Sequence, residues 1–212
     1  MQLHSTNADG TGRAEELTEG PTAQFSGSWS LNGKMLVFDE LRPTGWDLSL
    51  LTLEPKRTVR VLVQTPFNET HPRLSPDGNW LAYVSDESGE PDVYVQPFPG
   101  PGAKWRVSTD GGTMPVWDPH GRELFYRHRD RLMAVTIQTK STFVAEIPRL
   151  LFEPSGNATG FAFAMPYADS DYDVAPDGRF IMIEHGQSEA PATQITLVQN
   201  WFEELKRRVL TK

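Results

Sequence analysis

An all-β chain of stacked, four-stranded antiparallel sheets is the fold class the sequence predicts, and three observations predict it. A short unit recurs four times, as Trp29-Ser30-Leu31-Asn32-Gly33, Leu74-Ser75-Pro76-Asp77-Gly78, Trp117-Asp118-Pro119-His120-Gly121 and Val174-Ala175-Pro176-Asp177-Gly178. Each glycine is followed at a fixed offset by an apolar triplet, Leu36-Val37-Phe38, Leu81-Ala82-Tyr83, Leu124-Phe125-Tyr126 and Ile181-Met182-Ile183. Such strands must bury both faces, where a half-exposed strand would alternate apolar and polar residues. The glycines return at intervals of roughly 40–45 residues with one longer gap, the period at which four-strand units stack radially into a β-propeller. The 17 glycines and 17 prolines of the 212 residues fit many turns and disfavour a helical bundle.

Each element follows from this register. In the first unit, residues 25–64, strands are expected at 28–30, 35–39, 46–53 and 59–64. The second, 70–109, enters at Thr70, turns at Pro76-Asp77-Gly78, returns over 80–85, continues over 92–97 after a turn at Gly89 and closes over 105–109. The third, 113–152, has a tighter hairpin at His128-Arg129-Asp130-Arg131 and takes 149–152 as an outer strand. Residues 154–169 read as an insertion. The fourth, 171–199, has no outer strand of its own, so residues 13–18 are expected to complete it, which would remove exposed edges. Leu3 to Ala8 reads as a further strand, so the chain is expected to be a piece of a longer protein that starts in mid-blade. The propeller thus occupies 1–200 with about four blades. A helix is expected over 201–210, with Asn200 and Glu203 as a capping pair and Phe202, Leu205 and Val209 as its apolar stripe.

Composition excludes several function classes. With 20 basic and 28 acidic residues the formal charge is −8, and the basic residues are scattered apart from Lys206-Arg207-Arg208, so no nucleic-acid footprint is present. No apolar run approaches the roughly 18 residues that span a bilayer, so the chain as written is expected to be soluble. The absence of cysteine removes disulfides, thiolate metal sites and a cysteine nucleophile, and leaves the compartment open. His128-Arg129-Asp130 spells the start of a kinase catalytic loop, but Val135 stands where that loop needs its Asn, and there is no Gly-x-Ser-x-Gly for a serine hydrolase.

Ser-Pro-Asp-Gly followed by an apolar triplet resembles the WD40-like (PD40) repeat of TolB-type propellers, which also occurs in propellers of prolyl oligopeptidase and dipeptidyl peptidase relatives. The likeness runs over about residues 1–200. The stretches Gln64-Thr65-Pro66-Phe67-Asn68-Glu69, Asp86-Glu87-Ser88-Gly89, Val95-Gln96-Pro97-Phe98-Pro99-Gly100 and Asn200-Trp201-Phe202-Glu203-Glu204-Leu205-Lys206 are similar to the C-terminal propeller regions of some bacterial serine/threonine kinases. The resemblance implies a propeller, not a kinase. The first unit departs from the repeat with Leu31-Asn32 in place of Pro-Asp, and the third with His120 in place of Asp.

Three groups of residues are candidates for binding. Glu69, His71 and Arg73 share one side of an ideal strand entering the second unit, and are expected to bind ligand. The resemblance gives His71 a further role, because polysaccharide-degrading relatives carry a metal-dependent lyase histidine near such an entry. Phe161, Phe163 and Tyr167 in the insertion form a candidate contact surface. Asp169, Asp171 and Asp173 alternate, which in a strand puts three carboxylates on one side and repels unless a cation or basic partner compensates, so they are the candidate residues for a calcium site. The EF-hand template fails, with Val174 and Phe180 where its Gly and Glu belong.

The expected function is a non-enzymatic interaction or sensor module that binds a protein, peptide or small ligand at the channel mouth and loops, with no cofactor. The alternative is a metal-assisted lyase or hydrolase using the carboxylates or His71. The expected partner is a protein or peptide, with no nucleic acid and no membrane span. The chain is expected to be a monomer or a homodimer that shares blades, since four blades are few for a closed ring.

Overall fold

The structure, a computed structural model, describes residues 2–139, 142–153, 170 and 172–182, all of them in strands, turns and loops. At the N-terminus β1 (His4–Ser5) pairs with β2 (Glu15–Glu16). The first four-stranded sheet is a meander of β3 (Gln24–Trp29), β4 (Met35–Arg42), β5 (Gly45–Thr52) and β6 (Thr58–Val63). The second is β7 (Glu69–Leu74), β8 (Trp80–Ser85), β9 (Asp92–Pro97) and β10 (Trp105–Arg106). The third comprises β11 (Thr113–Trp117), β12 (Glu123–His128) and β13 (Arg131–Gln138), with both β14 (Val144–Ala145) and β15 (Arg149–Phe152) on the outer side of β13. Last come β16 (Tyr172–Val174) and β17 (Phe180–Met182), paired with each other. Every pairing is antiparallel, as blade-like meanders require. No helix of the described residues is long and apolar enough to cross a membrane.

The repeated turn explains its own residues. In Ser75-Pro76-Asp77-Gly78 the glycine N–H donates to the Ser75 carbonyl at 2.8 Å, and Asp77 Oδ1 accepts from Ser75 Oγ at 2.5 Å and from Asn79 N–H at 3.1 Å. Gly78 sits at φ 70°, where side chains are disfavoured. The departures preserve this arrangement. Asn32 Oδ1 accepts the same pair of bonds, from Ser30 Oγ at 2.8 Å and Lys34 N–H at 3.0 Å. In the third unit Asp118, at the serine position, accepts from the His120 and Arg122 N–H groups instead. The hairpin that links β12 to β13 turns at His128-Arg129-Asp130-Arg131. His128 and Arg131 pair directly, leaving a two-residue turn with Arg129 at φ 57°, the conformation that matches strand twist.

Both faces of β4, β8 and β12 are buried because neighbouring elements stack on them. Val37 faces Leu81 and Tyr83 across the interface between the first and second sheets, with Leu48, Leu50, Tyr94 and Phe98 around them. Ala82, on the other face of the same strand, joins Leu124, Tyr126, Val93, Val95, Val135 and Phe143 between the second and third sheets. Phe125 points the opposite way from its neighbours, toward Leu132, Tyr172, Phe180 and Met182. One strand thus supplies two interfaces, which is the physical content of the apolar triplets. Leu17 of the N-terminal segment covers Leu36, Phe38 and Leu51 on the remaining face of the first sheet. There Arg57 reaches back to Glu15 and donates to the Glu16 carbonyl at 2.9 Å.

Trp29 holds the same repeat position as the buried Trp117, yet it is 46 % exposed at the end of β3. The completion of the fourth unit by residues 13–18 requires partners among residues 183–199, which lie outside the described residues, as does the expected helix over 201–210.

Candidate functional site

Among the described residues the first strand of each blade-like sheet pairs on one side only, so β3, β7, β11 and β16 turn an unpaired edge toward a common centre. Adjacent first strands touch, β3 against β7, β7 against β11 and β11 against β16. Three of them carry a bulge in the same register, between Phe25 and Ser28, Thr70 and Arg73, and Thr113 and Val116. At each, two residues oppose one on the partner strand, which bends the strand and redirects the side chains that follow. His71 and Met114 occupy equivalent bulge positions at φ 56° and 53°, a left-handed backbone that non-glycine residues adopt only when their surroundings hold it.

Unpaired edges of this kind invite foreign strands, and here side chains of the neighbouring units cover them. Ser28 Oγ accepts from the Leu74 N–H at 3.0 Å, Trp117 Nε1 donates to the Arg73 carbonyl at 3.0 Å, and the buried Tyr172 hydroxyl donates to the Met114 carbonyl at 2.7 Å. Each bond joins one first strand to the next, so the centre is stapled by side chains. Tyr172→Phe is expected to lose about 1–2 kcal/mol, because the Met114 carbonyl would be left buried without that donor. Chemical denaturation checks this, and an unchanged midpoint would deny the staple.

Against this centre lies a cavity of about 380 Å3 lined by Arg73, Leu74, Pro76, Val116, Trp117, Ser170, Tyr172 and Asp173. Its walls come from the second, third and fourth units. Leu74, Pro76 and Val116 contribute apolar lining. Arg73 contributes the cation. Nη1 reaches the Gly27 carbonyl at 3.5 Å and Nη2 the Ser170 hydroxyl at 3.4 Å, both at the outer limit of hydrogen bonding. Among the described residues no carboxylate forms an ion pair with it. Asp173 is exposed, and its Oδ1 accepts from the Val174 N–H at 2.8 Å.

The residues singled out in the sequence separate in space. The bulge breaks the alternation on which the grouping of Glu69, His71 and Arg73 relied, and only Arg73 lines the cavity. His71 is half-buried, with Nδ1 2.9 Å from Thr70 Oγ1 and its N–H 3.4 Å from Asp39 Oδ2. Glu69 is 1 % exposed, with Oε1 accepting from Thr65 Oγ1 at 2.5 Å and Ser85 Oγ at 3.3 Å. Asp173 lines the cavity; Asp169, Asp171, Phe161, Phe163 and Tyr167 lie outside the described residues. Among the described residues no three His, Asp or Glu side chains gather as a metal site would require. Trp117 and Tyr172 were not expected at the site. The signal that marks the bulges was present, since Gly27, Pro72 and Pro115 each stand at the same offset before their repeat glycine, and proline inside a strand belongs at an edge or a bulge.

The two buried glutamates of this region titrate in opposite directions. Burial works to raise Glu40, but hydrogen bonds from Ser49, Thr22 and Gln24 and the Arg42 guanidinium together hold it below the ordinary value. Burial pushes Glu69 above it, against the Thr65 and Ser85 hydrogen bonds, and the Asp47 charge pushes the same way. Glu69 Oε2 and Asp47 Oδ1 are both buried without a hydrogen bond. A carboxyl that holds its proton more tightly when folded stabilises the fold at acid pH, and that contribution disappears as pH rises through its folded pKa. At the corresponding position the first sheet carries Gln24, which donates to Glu40 at 3.2 Å. Glu69→Gln is therefore expected to raise stability at pH 7 by about 1 kcal/mol, the order of one unpaired buried polar atom. The difference should shrink toward zero below the ordinary glutamate pKa of 4.5. Urea midpoints across pH check this; a variant less stable than the parent at pH 7 contradicts it.

Comparison with known proteins agrees with this architecture. The family profile of the TolB beta propeller domain, PD40, matches residues 6–199. None of the curated proteins compared with the chain matches it. Among solved structures, TolB from Acinetobacter baumannii superposes with a TM-score of 0.57 at 19 % identity, over 81 % of this chain and 39 % of that one. An oligogalacturonate lyase in complex with manganese gives 0.55 at 14 %, over 78 % and 48 %. A puromycin-hydrolyzing peptidase of Mycobacterium tuberculosis gives 0.52 at 15 %, over 82 % and 27 %. At these identities the likeness is one of fold, and the chain spans less than half the length of each.

Proposed function

Since the chain belongs to the TolB beta propeller (PD40) family, we propose that it is a non-enzymatic binding module that takes a protein, peptide or small ligand at the centre where its first strands meet. The observation that supports this reading is the cavity at Arg73, Trp117 and Tyr172. It combines apolar lining with a few fixed polar groups, the usual make-up of a ligand site. Its polar groups serve placement. Trp117 and Tyr172 donate to backbone carbonyls of the neighbouring first strands. The fold alone decides nothing between binding and catalysis, since propellers carry both.

The test is a melting-temperature screen against a chemically diverse set of peptides and small molecules, run in parallel on Leu74→Trp, which fills the cavity. Ligands that stabilise the parent and not the variant support the reading, because selective binding to the folded state raises its stability. Stabilisation that survives in Leu74→Trp, or none at all, contradicts it. A melting temperature that rises with calcium or manganese and falls with a chelator would favour the metal-assisted enzyme instead.

A further inference from the structure

Two opposite charges line the cavity without pairing across it. The Arg73 guanidinium extends from β7 toward the Gly27 carbonyl of β3 at 3.5 Å and the Ser170 hydroxyl of the fourth unit at 3.4 Å, and the Asp173 carboxylate of β16 accepts from the Val174 N–H. They do not reach ion-pair distance, although both border the same space of about 380 Å3. A guanidinium has five N–H donors, and two long contacts leave most of that capacity directed elsewhere. Its planar fork suits a carboxylate in bidentate contact. Asp173, an acceptor with one oxygen engaged, suits an ammonium group. The same lining includes the apolar side chains Leu74, Pro76 and Val116.

From this arrangement we propose that the cavity binds a small zwitterion of the α-amino-acid type, with its carboxylate on Arg73, its ammonium toward Asp173 and an apolar side chain against Leu74, Pro76 and Val116. The proposal rests on the binding reading above and narrows it to one ligand class. A simple anion would gain Arg73 but meet the Asp173 charge at the rim, and a simple cation would meet the reverse. Only a ligand with both signs satisfies both walls, which is how a site discriminates by charge placement as well as by attraction.

The probes are L-leucine, 4-methylpentanoate, which lacks its ammonium, and 3-methylbutylamine, which lacks its carboxylate, each titrated calorimetrically into the whole chain. Leucine is expected to bind at least tenfold more tightly than either analogue. Arg73→Gln should weaken leucine at least tenfold. Asp173→Asn, at an exposed position that leaves packing intact, should weaken leucine about fivefold and bring 4-methylpentanoate level with it. Arg73→Lys separates charge from the bidentate fork and should lie between the parent and Arg73→Gln. If 4-methylpentanoate matches leucine in the parent chain, or Asp173→Asn leaves leucine unchanged, the zwitterion assignment is overturned. If leucine fails while other compounds stabilise the parent and not Leu74→Trp, the assignment falls and the binding reading stands. If nothing binds in that cavity-dependent way, both fall.

Discussion

Gly27→Ala is expected to destabilise the chain by about 3 kcal/mol or more, the upper range for overpacking a well-packed interior. A Cβ at this position would lie 2.0 Å from the Val37 carbonyl oxygen and 2.8 Å from Pro72 Cγ. The first contact is with backbone of the paired strand and cannot be relieved by a rotamer change. The second is with the adjacent first strand, so relief would have to push β3 away from both β4 and β7. Gly33→Ala is the control. Nothing lies within 4 Å of its Cβ, and its φ of 67° leaves only the left-handed penalty, about 1–2 kcal/mol. Equilibrium urea unfolding of the two variants should rank them clearly, and equal midpoints would mean that the bulge relaxes freely.

Leu124→Ala carries the second large effect, about 2–5 kcal/mol. Leu124 is 0 % exposed and sits where the second and third sheets meet, beside Ala82, Val93, Val95 and Tyr126. Two stacked sheets cannot close on a missing isobutyl group without shifting both, so most of the cavity should persist. Ile181→Ala removes a similar volume at the same repeat register from a side chain that is 73 % exposed, and is expected to change stability by less than about 0.5 kcal/mol. If Leu124→Ala proved as mild as Ile181→Ala, the interface between sheets would not be the source of stability claimed for it.

The contrast between Leu124 and Ile181 also shows what the sequence could convey. The register glycines and apolar triplets mark the central strands because burial on both faces leaves a compositional trace, and Leu36, Leu81 and Leu124 are all buried accordingly. The cavity left a weaker trace. Arg73 was picked out by its place beside Glu69 and His71 on an ideal strand, yet the bulge sends the three to different surroundings, and Glu69 becomes a buried acid and His71 a strained backbone position. Local alternation cannot register one extra residue whose position is set by the adjacent strand. Nothing local marks Trp117 and Tyr172 as lining the cavity, because the bonds their polar ends make reach the previous unit and depend on how sheets stack. Trp29 shows the converse, since it shares the repeat position of the buried Trp117 and is nevertheless 46 % exposed.

On the proposed binding function, ligand occupies the cavity between the first strands. Backbone and indole NMR spectra of the chain with and without a stabilising compound from the screen test it most directly. The account predicts perturbed signals at Arg73, Leu74, Val116, the Trp117 indole N–H, Tyr172 and Asp173, with β6 and β10 unmoved. Perturbations confined to those outer strands, with the Trp117 indole unchanged, would contradict it.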